Sequence, residues 1–576
     1  MDDTTRPDLT ELARDWIAGD PDPATRDELQ ALLDAGDPAA LEERVGASLA
    51  FGTAGLRGAV GAGPNRMNRA VVIRATRGLA DHLLATDPDA AARGVVVGFD
   101  ARLDSRRFAE DVVGVLAAAG LTVRWFPTPT PTPLVAYAQK ALDAAAAVVV
   151  TASHNPPEDN GYKVYAEGAA QIVPPTDAAI AAAIDAVCPA RDVPVADVVA
   201  DERVAPVDAA VVDRFLQELA ASRPVVDADV DRDLRIVYTP LHGVAGALVQ
   251  RAFGEAGYHD VHVVPTQAEP DGTFPTVRFP NPEEPGALDA ALALAAEVDA
   301  DLIVANDPDG DRLAVAVPDG AGGFVPLNGN RIGVLLGSYL LEEGDTARAL
   351  VVRSVVSTPM FDEVAAARDA RVESTLTGFK WICRAALELE VSDQRSFVYG
   401  FEEALGSSVG TVVRDKDGIG AAVAFADLTA VLRASGRSVL DRLHELSVQH
   451  GAWYSTQVSV VRPGAAGQAE IADAMERLRT ERPDHLGGRR VAEVTDYREG
   501  ADLRPAWLGT TAMVEFALEG GGRAMIRPSG TEPKCKVYVD LRGELAPDGD
   551  LAAVEATLSA EAEAVAVDLL TAVGLR

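Results

Sequence analysis

Short runs of β-branched and other apolar residues alternate along most of the chain with longer Ala- and Leu-rich stretches of helical spacing. That alternation is the pattern of an α/β protein. Strands are predicted at residues 94–99 (GVVVGF), 145–150 (AAAVVV), 234–239 (LRIVYT), 301–305 (DLIVA) and 349–353 (ALVVR). Each is apolar throughout, as expected of a parallel sheet covered by helices on both faces. Residues 69–84 and 289–297 carry apolar positions at helical spacing between them.

Composition shifts divide the chain. Residues 1–45 read as a helical N-terminal extension, 46–205, 206–325 and 326–455 as three α/β units of similar size, and 456–576 as a smaller α+β domain. Residues 189–206, rich in Pro, Asp and Val, form the first joint, and a Gly-rich turn at 318–326 the second. The last domain announces itself by alternating strands, YSTQVSVV, MVEFAL, RAMIRP and CKVYVDL, and closes on a helix over 550–573.

A chain of 576 residues buries a large core without disulfides or structural metals. Its three cysteines, Cys188, Cys383 and Cys535, form no CxxC pair, which excludes a disulfide framework and a cysteine zinc site. The acidic start MDDTTRPDLTELARDW lacks a secretory pattern, and no run of about 18 apolar residues suggests a membrane span, so a cytoplasmic location is expected. With 52 basic against 88 acidic residues the net charge is −36, which repels nucleic acids and anionic membranes. A chain this acidic must build local basic pockets if it handles phosphate.

Four segments carry candidate chemistry. TASHNPPEDNGYKVY, residues 151–165, opens a polar loop at a strand end, where α/β folds hold ligands. It offers Ser153 as a nucleophile, with His154 beside it and Lys163 further on; a capped helix start is the plainer reading, but Pro156-Pro157 opposes a simple helix there. DPDGDR places Asp307, Asp309 and Asp311 in a tight turn after a buried strand. Those carboxylates suit a hard cation such as Mg²⁺, although a solvated acidic turn has the same letters. GFEEALG, residues 400–406, followed by RDKDG at 414–418, offers Glu402 and Glu403 to sugar hydroxyls; paired glutamates are otherwise usual on helix surfaces. RPSGTEPKCK, residues 527–536, brings Arg527, Ser529, Gly530 and Thr531 together as a phosphate cradle or, more plainly, a turn.

Together, a serine, a carboxylate turn, a sugar-hydroxyl reader and a separate anion cradle describe phosphoryl transfer on a phosphosugar. The chain resembles the α-D-phosphohexomutase superfamily (phosphoglucomutase/phosphomannomutase), from FGTAGLRG at 51–58 through TASHNP and DPDGDR to RPSGTEPKCKVY. TGFKWI at 377–382, GFEEALG and RDKDG are most similar to its phosphopentomutase and bacterial phosphoglucomutase branch. The resemblance implies three α/β/α sandwich domains and a smaller fourth, in a heart shape around a central cleft. It implies a phosphoserine at Ser153, one Mg²⁺ held by Asp307, Asp309, Asp311 and a phosphoserine oxygen, and a sugar bisphosphate as intermediate and activator. Arg57 and His154 would lie near the serine, Lys163 would support its loop, and Arg312 and Lys416 would flank the phosphoryl group. Glu402 would read the sugar, and Arg527, Ser529, Gly530 and Thr531 the phosphate that stays in place. A monomer or weak homodimer acting on small phosphosugars, with no nucleic-acid or membrane partner, is expected.

In one place the sequence departs from the hexose pattern: Ala404 takes the position of a Ser, and Gly406 follows. The lost hydroxyl opens pentose 1-phosphates beside glucose and mannose 1-phosphate, and it leaves Lys380, Lys416 or a carboxylate as the general base. A haloacid-dehalogenase-like phosphatase, with Asp307 as nucleophile, would leave TASHNP, GFEEALG and RPSGT without a role. A phosphosugar-binding regulator without turnover is opposed by the filled reactive positions.

Overall fold

The valine-rich runs form adjacent parallel strands, Val95–Phe99 pairing with Ala146–Val150 residue for residue. The computed structural model describes residues 8–52, 55–224, 226–227, 229–342, 346–529 and 534–576. It divides into two units. The first takes Met1–Arg223, Asp231–Pro326 and Gly406–Asp427; the second takes Pro224–Val230, Leu327–Leu405 and Leu428–Arg576.

In the first unit, a six-stranded sheet runs Leu56–Ala59, Asp159–Tyr165, Ala146–Val150, Val95–Phe99, Val123–Trp125, Val204–Pro206. The last four are parallel, while Asp159–Tyr165 lies antiparallel to Ala146–Val150 and Leu56–Ala59 antiparallel to it. Val95, Val97, Phe99, Val148 and Val150 are buried with Leu79, Phe108 and Leu116 from the helices Arg69–Thr86 and Ser105–Ala118. Each such side chain taken fully from water stabilises by about 1.5–3 kcal/mol. The polar loop expected over residues 151–165 becomes a strand from Asp159 onward, in which Asn160, Gly161 and Lys163 are buried.

A second sheet in this unit runs Phe324–Leu327, Ala314–Pro318, Leu302–Ala305, Ile236–Thr239, Val261–Val263. Its last three strands are parallel, and Ala314–Pro318 is antiparallel to Leu302–Ala305. The N-terminal helices Leu9–Gly19, Pro23–Ala35 and Pro38–Val45 each start on an aspartate, Asp8, Asp22 and Asp37, whose side chain accepts a free N–H of the first turn.

In the second unit, Arg371–Thr375, Ala349–Ser354 and Ser396–Glu402 are parallel neighbours. Its six-stranded antiparallel sheet runs Ala452–Val461, Lys534–Gly543, Gly522–Pro528, Val514–Leu518, Arg489–Asp496, His485–Leu486. The helix Leu551–Ala572 buries Leu558, Val565 and Leu569 against it. Among the described residues no single helix is long and apolar enough to cross a membrane.

Candidate functional site

Ser153 lies just beyond the strand Ala146–Val150 and is 3% exposed. Its backbone is left-handed, with φ +52°, a conformation that costs a side-chain-bearing residue roughly 1–2 kcal/mol. The Thr151 hydroxyl stabilises the bend, accepting the Ser153 N–H at 2.8 Å and donating to Asp100 Oδ2 at 2.7 Å. The Ser153 hydroxyl donates to Asp307 Oδ2 at 2.6 Å and stands 3.1 Å from His154 Nδ1.

Asp307 follows the buried strand Leu302–Ala305, and its loop closes on itself. Asp307 Oδ1 accepts the N–H groups of Asp311 and Arg312 at 3.1 and 3.0 Å. Gly310 turns the chain at φ +75°, where an added Cβ would meet Ala245 Cβ at 2.8 Å. Thr132, the last threonine of the TPTPTP run and the first residue of a helix, donates its hydroxyl to Asp309 Oδ2 at 2.8 Å, and its N–H to the Asp309 carbonyl at 2.9 Å.

All three carboxylates are buried, and one oxygen from each lies within 4.8 Å of the others. Cations come from two strand-linked segments. Lys163 Nζ reaches Asp309 Oδ2 at 2.7 Å and Asp311 Oδ2 at 2.9 Å. Lys416, in the loop before the helix Gly418–Ala434, reaches Asp311 Oδ2 at 3.1 Å and Asp415 Oδ1 at 3.2 Å. Asp415 in turn accepts from the Tyr165 hydroxyl at 2.6 Å and Gln171 at 2.7 Å.

Electrostatics separates the three acids. Burial, then the charges of Asp309 and Asp311, holds the Asp307 carboxyl well above the usual carboxylate range. Burial presses on Asp309 and Asp311 too, but Lys163 outweighs it for the first, and Lys163 and Lys416 for the second, so both lie below that range. Burial, reinforced by Arg312 and Arg57, pushes His154 well below the ordinary imidazole value, so it is neutral at neutral pH.

Asp309 Oδ1 and Asp311 Oδ1 are buried and accept no hydrogen bond among the described residues. Orphaned carboxylate oxygens in a triad of hard donors fit a divalent cation. Arg312 Nε lies 3.9 Å from Asp307 Oδ2, and Arg57 donates to Asn155 Oδ1 at 3.2 Å. Ser153, His154, Arg57, Lys163, the three aspartates, Arg312 and Lys416 are thus all in the first unit.

The second unit holds the remaining candidates. GFEEALG is a strand, a turn and a strand rather than a helix surface, with Glu402 at the end of Ser396–Glu402. Glu402 Oε1 accepts the Gly378 N–H at 2.6 Å. Glu403 instead turns to Ser354 and Ser357, whose hydroxyls reach its Oε2 at 2.9 and 3.2 Å. Lys380 is buried near the start of Phe379–Ser392, with its Nζ 5.3 Å from the Trp381 ring. Arg527 is on Gly522–Pro528, its guanidinium 5.9 Å from the Tyr538 ring and its buried Nε without a hydrogen-bond partner among the described residues. Burial, then the charge of Glu403, pushes the Tyr538 phenol up to about 12. The Ser529 N–H donates to the Lys534 carbonyl at 2.8 Å; Gly530 and Thr531 lie outside the described residues.

Sequence reasoning passed over Asp100, Arg102, Thr132, Tyr165 and Asp415, all buried polar residues of the first unit. ARLDSRR reads as a charged surface and TPTPTP as a linker. The one available signal was an acidic residue at the end of a fully apolar strand, GVVVGFD.

Four family profiles match the chain. Residues 48–189, 213–321 and 328–448 match phosphoglucomutase/phosphomannomutase alpha/beta/alpha domains I, II and III, and residues 475–555 match the C-terminal domain. A probable phosphomannomutase of Haemophilus influenzae is 41% identical over 84% of this chain and 95% of its own length. A probable phosphoribomutase of Schizosaccharomyces pombe is 36% identical over 97% of this chain and 98% of its own. In fold, a putative phosphomannomutase from Thermus thermophilus superposes with a TM-score of 0.66 at 23% identity, over 90% of this chain and 98% of that one.

Proposed function

The chain belongs to the phosphoglucomutase/phosphomannomutase family and is a phosphosugar mutase, and from that premise we propose that Ser153 carries the phosphoryl group. The observation behind this reading is the buried Ser153 hydroxyl, 2.6 Å from Asp307, in a cluster of three carboxylates and two lysines. A sugar hydroxyl oxygen bonds to the phosphorus of phosphoserine as the bond from phosphorus to Ser153 Oγ breaks. The hydroxyl proton leaves to a base, with Lys380, Lys416 and a carboxylate as candidates. A bisphosphorylated sugar results; after it turns over, its other phosphoryl group returns to Ser153.

Asp307, Asp309, Asp311 and a phosphoserine oxygen would hold one Mg²⁺, which when bound neutralises charge on the phosphoryl oxygens. Lys163 and Lys416 hold Asp309 and Asp311 ionised in the absence of that charge. His154, neutral, contacts the serine without adding charge. Arg57 and Arg312 would face the phosphoryl oxygens. Glu402 would accept sugar hydroxyls, and Arg527, Ser529, Gly530 and Thr531 would anchor the second phosphate, spending binding energy away from the reacting bond.

The substrate pair proposed is glucose or mannose 1-phosphate and its 6-phosphate. Ala404, with no hydroxyl to offer, favours a second reading in which ribose or deoxyribose 1-phosphate is converted to the 5-phosphate. Assay of the four 1-phosphates side by side, with Mg²⁺ and a trace of sugar bisphosphate, decides between them. Turnover of only the pentose pair overturns the hexose reading, and full activity in Ser153→Ala overturns the phosphoserine.

A further inference from the structure

We propose that Arg102 is a positioning residue for the nucleophile, a clamp that holds the Ser153 loop in its reactive bend; this rests on the phosphoserine reading. Arg102 is 3% exposed in a chain rich in surface arginines. Both N–H bonds of one terminal nitrogen go to the carbonyls of Pro156 and Asp159, at 2.6 and 2.9 Å. Those of the other go to the carbonyls of Ser153 and Asn155, at 2.8 and 2.6 Å. Its Nε faces Asp100 Oδ2 at 3.2 Å. Four of the five N–H donors therefore go to one segment of seven residues, 153–159, while the Nε–H meets Asp100 as an ion pair and makes no hydrogen bond among the described residues.

The remaining face is covered as well. The Phe274 ring lies 5.1 Å from the guanidinium carbon. Gly272 approaches so closely that an added Cβ would meet the Arg102 Cα at 2.6 Å. Asp100 ties the clamp to the hydroxyls of Ser105 and Thr151, at 2.5 and 2.7 Å, and Thr151 accepts the Ser153 N–H. The clamp touches the backbone of Ser153 and leaves Oγ to Asp307. Ser153 and Asn155 thus have their carbonyls fixed while the serine keeps φ +52°. A flat fork with donors in one plane can satisfy four converging carbonyls; an ammonium, with three donors on a flexible stem, cannot.

The test uses the full chain and follows phosphoryl transfer from glucose 1,6-bisphosphate to the enzyme. In that step the bond from phosphorus to a sugar oxygen breaks as the bond to Ser153 Oγ forms. The serine proton ends on the departing sugar oxygen, leaving phosphoserine and a sugar monophosphate. Arg102→Lys is expected to lower kcat and the single-turnover transfer rate together by about 10- to 100-fold, with KM nearly unchanged. Guanidinium ion added to Arg102→Ala is expected to restore transfer, and to restore none in Ser153→Ala. Arg102→Lys that melts like the wild type and transfers at the wild-type rate overturns the inference. So does a loss that vanishes when rates are expressed per folded molecule. A wild-type chain that takes no phosphoryl group at Ser153 overturns the phosphoserine reading itself, and the clamp with it.

Discussion

The Ser153 hydroxyl donates to Asp307 across 2.6 Å, though the two residues lie 154 positions apart and at the ends of strands in different sheets. The contact brings a hydroxyl against the most basic of three buried carboxylates, Asp307, the one that burial and its two neighbours push upward.

Replacing that hydroxyl tests the contact directly. Ser153→Ala is expected to lower turnover on the order of 10⁴-fold or more. Intact-mass measurement after incubation with a sugar bisphosphate should show no phosphoryl group on the variant and one on the wild type.

The triad makes a prediction about stability as well. Without a cation, mutual repulsion among buried carboxylates destabilises the fold, so Asp307→Asn should melt higher than the wild type in chelator. Addition of Mg²⁺ should reverse the order. A site filled to 100 times its dissociation constant gains about 2.7 kcal/mol in the wild type, and the variant loses most of that gain. Thermal melts with and without Mg²⁺ measure both.

Asp417 supplies a pH dependence away from the triad. Burial pushes its carboxyl up to about 6, against the Ile419 and Gly420 N–H groups that it caps. A raised carboxyl favours the protonated fold, so its stabilising effect is complete below the unfolded value of 3.8 and is lost as pH rises through about 6. Asp417→Asn keeps an acceptor for the cap and carries no charge. Its stability advantage over the wild type is expected to grow between pH 4 and pH 6, by up to about 3 kcal/mol. Chemical denaturation across that interval reads it out.

The GFEEALG segment separates two glutamates by their partners. Glu403 is held by the hydroxyls of Ser354 and Ser357, while Glu402 Oε1 accepts the Gly378 N–H. Glu402→Gln should weaken kcat/KM, and Glu403→Gln should lower the melting temperature. Ala404→Ser restores one hydroxyl, and one hydrogen bond is worth about 0.5–1.5 kcal/mol. It should raise the hexose-to-pentose ratio of kcat/KM by roughly 2- to 10-fold.

Gly310 is the turn on which the carboxylates depend. Gly310→Ala places a Cβ at φ +75° and 2.8 Å from Ala245 Cβ. A loss of at least about 1–2 kcal/mol is expected, with a weaker Mg²⁺-induced rise in melting temperature.

Much of this was legible locally. Val95–Phe99, Ala146–Val150 and Leu302–Ala305 are apolar runs whose pattern alone makes them buried strands, and Ser153 and Asp307 follow two of them. Lys163 was legible as a neighbour of the serine, but the reason it reaches the aspartates was not. It sits on an antiparallel strand that pairs Val149 with Lys163, and the polar letters of DNGYKVY conceal that strand. Arg102 left no local trace, because a buried arginine and a surface arginine are the same letter; only the four carbonyls of residues 153–159 distinguish them. Thr132 and Asp415 were hidden likewise, by partners 177 and 250 positions away.

The chain leaves the first unit at Pro326 and returns to it for Gly406–Asp427, the stretch that brings Lys416 to Asp311. On a ribosome this sets an order of events. Ser153 and its three aspartates emerge first and can fold, but the nascent site has Lys163 as its lysine until about a hundred more residues have been made, roughly 5–20 s at cellular rates. Through that interval Asp311 lacks one of its two lysines, and Tyr165 and Gln171 lack their acceptor. The Asp311–Lys416 pair therefore closes only after the strand Ser396–Glu402 has been synthesised, so the last ion pair of the carboxylate cluster is set by a segment that lies beyond the second unit's Leu327–Leu405 in chain order.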